Sequence, residues 1–100
     1  MAPLWNALRG RATAVLSGHE HDLQRLQPRG GLTEYVAGAG GRGRYRLARS
    51  DRRLAWGADD RSGALRIVLE PGTATFEFRD EAGTLLDRSE LTCGSYPASR

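Results

Sequence analysis

Both histidines of this 100-residue chain sit in one short stretch, His19-Glu20-His21, directly after Ser17-Gly18. Residues i and i+2 of an extended segment point the same way. Two neutral imidazoles so placed can converge on one metal ion or on two neighbouring ones. The run Ala12 to Leu16 just before them has the length of a buried strand. A strand feeding a Ser-Gly break that presents two imidazoles is a plausible metal corner, at the strand-end position where open α/β sheets bind ligands. Two ligands do not complete a metal site, and the chain has no third histidine.

Other residues with chemical potential read more simply. Gly38-Ala39-Gly40-Gly41 could cradle a phosphate, but no Lys-Ser/Thr follows it and no amphipathic helix does. A strand-to-loop turn is the favoured reading. Asp59-Asp60 could offer metal oxygens, and a solvent-exposed turn is favoured. Ser17 and Cys93 lack an orienting third group at recognisable spacing, so neither reads as an activated nucleophile. Cys93 is the sole cysteine, which excludes an internal disulfide and favours a free thiol. All fifteen basic residues are arginine, so no lysine is available as a Schiff base or general base.

Arg42 to Arg53 carries six arginines against the single acid Asp51. With the net charge of +3, such a stretch could bind nucleic acid or an acidic partner. Only Tyr45 supplies an aromatic platform, and the Arg-Gly-Arg texture does not continue. An exposed arginine-coated loop is favoured, which leaves a small non-enzymatic binding module as the second functional reading.

These residues need elements to position them. One hundred residues fit one small domain or part of a larger one. Pro3 to Arg11 reads as a short helix with Leu4 and Leu8 on one stripe. A helix opening at residue 3 looks internal to something longer. Helix followed by strand is an α/β signature. Gln27-Pro28-Arg29-Gly30-Gly31 is a turn cluster, and Leu32 to Ala37 a second strand. Arg42 to Gly63 reads as a long loop with at most one helical turn.

From residue 64 to 92 the pattern is a β meander. Leu65, Ile67 and Leu69 alternate with polar neighbours, Pro71-Gly72 turns the chain, and Ala74, Phe76 and Phe78 alternate again. A second turn precedes a third strand, Thr84 to Leu91. One face of the meander is expected to be buried and one wet. Residues 93–100 form a tail. The whole is one partial domain, divided at 1–41, 42–63, 64–92 and 93–100, with one helix and about five strands. No run of 18 apolar residues is present, and no secretory signal pattern opens the chain. The compartment stays open.

Two blocks together, Leu16-Ser17-Gly18-His19-Glu20-His21-Asp22-Leu23-Gln24-Arg25 and Gly31-Leu32-Thr33-Glu34-Tyr35-Val36-Ala37-Gly38-Ala39-Gly40-Gly41, resemble the C-terminal end of calcineurin-like metallophosphoesterases. The purple or tartrate-resistant acid phosphatase branch is the nearest in look. The resemblance covers residues 4 to 41. It implies the C-terminal portion of a four-layer αββα sandwich with two metal ions, commonly Fe, Mn or Zn, held between its sheets. His19 would ligate one metal and His21 the other. Two close metals polarise a phosphoryl oxygen and generate a hydroxide for in-line attack on a phosphate ester. Arg25 lies where some members carry a basic residue; a phosphate contact is one reading and a structural salt bridge the favoured one.

The family's earlier motifs, Asp-x-His, Gly-Asp-x-x-Asp and Gly-Asn-His-Glu/Asp, are absent, as is its isolated further histidine. The resemblance therefore implies a C-terminal segment whose partners are the missing half of the domain and a phosphate-ester substrate, with no membrane and with nucleic acid disfavoured. Little or no turnover is expected from this chain alone. Sheet edges and apolar faces that the missing half would cover are expected to be exposed.

Overall fold

The computed structural model describes residues 7–8, 11–18, 22–39 and 50–93. Within them the chain is a small mixed fold of seven strands in two sheets, with almost no helix. Of the helix expected over Pro3 to Arg11, only Ala7, Leu8 and Arg11 are described. Ala7 and Leu8 are helical, and the amides of Arg11 and Ala12 both donate to the Leu8 carbonyl. No helix among the described residues is long and apolar enough to cross a membrane.

The first sheet has the order β1-β3-β2-β4, from β1 (Ala14–Ser17), β2 (Leu23–Leu26), β3 (Thr33–Ala37) and β4 (Leu54–Ala58). β1 runs parallel to β3, with Leu16 opposite Tyr35 and Ser17 opposite Val36. β2 is antiparallel to both β3 and β4. The Gly30-Gly31 turn before β3 is closed by reciprocal bonds between Arg29 and Leu32. The second sheet is an antiparallel meander of β5 (Gly63–Glu70), β6 (Thr73–Asp80) and β7 (Leu85–Thr92). Gly72 closes the β5–β6 turn at φ 81°, a conformation that suits a glycine after Pro71.

Three expectations change. About five strands become seven, because β2 and β4 are added. β4 lies inside the stretch 42–63 that reads as a loop. The meander does not have one wet face at its centre either: Thr75 and Glu77, opposite in alternation to the phenylalanines, are buried as well. β6 is the middle strand: the first sheet covers its phenylalanine face, and side chains of the flanking strands screen Thr75 and Glu77 on the other. Arg66 sits opposite Glu77 on one side and Arg88 on the other.

Tyr35, Phe76 and Phe78 form the centre of the core, joined by Leu23, Ala39 and Ala74. Directly opposed residues share a sheet face, so Tyr35 of the first sheet meets the phenylalanine face of the second. The Tyr35 and Phe76 rings stack with centroids 4.2 Å apart, and Trp56 stacks on Phe78 at 5.1 Å. Offset or stacked pairs of this kind add about 0.5–1.5 kcal/mol to their area burial.

Polar groups fix how the sheets register. Arg25 on β2 donates through Nε and Nη2 to both oxygens of Asp87 on β7, at 2.8 and 2.9 Å. The Tyr35 hydroxyl is 2.8 Å from Ser89 Oγ. Arg25, Tyr35, Asp87 and Ser89 all take inward positions in their strands. Each polar group is matched across the sheets, so burial leaves no unsatisfied side-chain N or O among the described residues.

Candidate metal centre

Four strand ends meet at one end of the first sheet. Because β1 and β3 are parallel, their C-terminal ends lie side by side, Ser17 opposite Val36. Antiparallel pairing brings the first residue of β2, Leu23, beside both Ala37 and Ala58. The segment joining β1 to β2 contains His19 and His21, which lie outside the described residues together with Glu20. Gly18 and Asp22 bracket it.

Asp22 is a buried carboxylate, 2% exposed. The Gln24 amide Nε2 donates to its Oδ1 at 2.9 Å, and the Gly38 amide donates to its backbone carbonyl at 3.0 Å. That second bond ties the end of the histidine stretch to the chain just after β3. On the other side, Ala39 is buried and its carbonyl accepts from the Gly63 amide at 2.9 Å. Ser17 Oγ donates to Glu34 Oε2 at 2.9 Å across the parallel pair. Sequence reasoning gave Asp22 no role. A carboxylate directly after the second histidine, where a strand starts, was the only sign available.

Arg25 forms the salt bridge with Asp87, and its pKa is raised chiefly by that hydrogen bond, with burial opposing. Asp59 and Asp60 follow β4 at the histidine end of the sheet. The Asp60 side chain, 62% exposed, pairs with Arg61 at 3.1 Å. Arg61 also reaches Asp80 at 3.6 Å. A shallow cleft of about 270 Å³ opens there, lined by Trp56, Gly57, Ala58, Asp60, Arg61 and Leu86. Its one cation is already matched by two carboxylates.

Gly40 and Gly41 lie outside the described residues, as do residues 42–49 of the arginine stretch. Arg53 at the end of that stretch binds both oxygens of Asp51 and holds its carboxyl down to about 2. Cys93 is an exposed free thiol.

Among the described residues no group of three or more His, Cys, Asp or Glu side chains could hold a metal ion. The two imidazoles by themselves fall short of the four donors that a closed zinc site requires. No family model matches the sequence, and no curated protein matches it.

Proposed function

We propose that this chain is the C-terminal portion of a calcineurin-like metallophosphoesterase, of the purple or tartrate-resistant acid phosphatase-like branch. In the whole protein His19 and His21 would hold two metal ions, and the reaction would be hydrolysis of a phosphate monoester or diester. The observation that carries the reading is the Gly38-to-Asp22 hydrogen bond at the C-terminal ends of the parallel β1–β3 pair. The two sequence blocks that resemble the family are neighbours in space there, at the sheet end where ligands bind in α/β folds.

Two sheets packed face to face support the reading, since the inner layers of a four-layer sandwich would pack in that way. Support for further layers and strands comes from what is left bare. Leu16 shares the inward face of Tyr35 yet is 55% exposed, and β1 has no second neighbour among the described strands. Parallel pairs are seldom left open in this way. The rest of the domain would cover β1 and supply the remaining ligands.

An immunoblot raised against a β6–β7 peptide tests this in the source cells. The reading predicts a polypeptide several times the 10.9 kDa of this chain, which hydrolyses p-nitrophenyl phosphate in a metal-dependent way. Exchange of His19 for Ala in that polypeptide should cost more than the roughly 10–100-fold typical of outer-shell residues. A native band at 10.9 kDa, or a long form with no metal-dependent hydrolysis, would overturn it.

A further inference from the structure

The outer edge of β5 is long and regular. β5 is the edge strand of the meander, and its pairing with β6 runs from Gly63 to Glu70 without a bulge. No proline interrupts it. Long unbulged edges are templates for another strand. On the inward face of this edge Ile67 is 37% exposed and Leu69 is 74% exposed, although Ile67 lies opposite Phe76 and Leu69 opposite Ala74. On the outward face stand Arg66 and Glu70, both exposed and opposite in charge. Glu70 makes no ion pair among the described residues. Arg66 shares Glu77 with Arg79, and its side chain is 60% exposed.

Backbone polarity sets the register. Glu70 and Thr73 flank a two-residue turn and so form a hydrogen-bonded pair. Alternation then turns the amides and carbonyls of Leu69 and Ile67 toward the edge that no described strand pairs, where among the described residues only the Gly63 amide is bonded, to Ala39. An antiparallel second copy with Val68 on the two-fold axis uses those groups. Ile67 faces Leu69 of the other copy, and Arg66 faces its Glu70. The apolar pair, the charge pair and the hydrogen-bonding groups all agree on this single register, and each residue meets its complement twice, as an isologous contact requires.

We infer that the 100-residue chain forms a two-fold dimer by antiparallel β5–β5 pairing centred on Val68, which extends the three-stranded meander to a six-stranded sheet. The inference does not draw on the metal reading. A one-strand interface should be weak, with a Kd on the order of 10⁻⁵ M.

Sedimentation equilibrium on the Cys93→Ser chain, at concentrations bracketing that value, should show a monomer–dimer equilibrium. Leu69→Lys should weaken it about tenfold or more while leaving the circular dichroism unchanged, because Leu69 is mostly in solvent. The register has its own readout. Val68→Cys in the Cys93→Ser background places two thiols on a non-hydrogen-bonded pair, with Cα atoms about 4.5 Å apart and within disulfide reach. Arg66→Cys would hold its thiols about 13 Å apart. With oxidised glutathione, Val68→Cys should give a covalent dimer much faster than Arg66→Cys. Three results would each overturn the proposal: a monomer throughout, a dimer that Leu69→Lys leaves intact, or equal cross-linking by the two cysteine variants.

Discussion

Arg25 shows why some of this fold is invisible in the sequence. It takes an inward position in β2, where an alternation rule asks for an apolar residue, and its partner Asp87 lies 62 residues away. Nothing local announces the match. Removing one partner leaves the other half-buried and unpaired. Asp87→Ala should therefore cost roughly 1–3 kcal/mol in urea denaturation, below the 3–5 kcal/mol of a fully buried pair. Arg25→Met with Asp87→Leu should recover most of that loss. Gly63 is a second residue whose role is steric. A Cβ there would lie 2.5 Å from the Arg79 carbonyl oxygen, so Gly63→Ala must move backbone and should destabilise by roughly 1–3 kcal/mol. Glu77 contributes to acid sensitivity. The Arg79 bond lowers its pKa, Arg66 adds to this, and burial opposes both. A folded-state value below the unfolded one means that the stabilisation is complete above about pH 4.5 and is lost as pH falls through the folded value. The melting temperature should drop on that acid limb, and Glu77→Gln should flatten it.

At the scale of elements, the legible strands are those whose apolar period meets an apolar neighbour. β3 and the three strands of the meander follow from alternation because Tyr35, Phe76 and Phe78 all point into one core. β2 does not follow, since its inward pair is Leu23 and Arg25. β4 is hidden by small residues and by the register shift beside Arg25 and Leu26, so that Trp56 alone marks its inner face. The two phenylalanine-facing strands also differ in how much their apolar residues contribute. Phe78 is fully buried under Trp56 and Tyr35, whereas Leu69 on the neighbouring strand is 74% exposed. Phe78→Ala should cost about 3–5 kcal/mol, and Leu69→Ala should stay within about 0.5 kcal/mol. Equal losses in chemical denaturation would mean that the core is not centred where Tyr35 and Phe76 stack.

At the scale of the molecule, the candidate site is legible only as spacing. His-x-His between two strands suggests a metal corner; what the fold adds is that the flanking residues Gly18 and Asp22 sit at a sheet end shared with Gly38 and Ala58. Among the described residues no group of three or more His, Cys, Asp or Glu side chains gathers there, so the spacing of the two imidazoles is the whole of the signal. The bare inward faces of Leu16, Ile67 and Leu69 fit a molecule that is covered by something else, either the rest of a sandwich or a second copy. Isothermal titration of the chain with Zn²⁺ and with Mn²⁺ reads out whether the two histidines ligate a metal. Binding should be weak, and it should be lost in the His19→Ala/His21→Ala variant. Equal binding by the wild type and that variant would contradict the ligation.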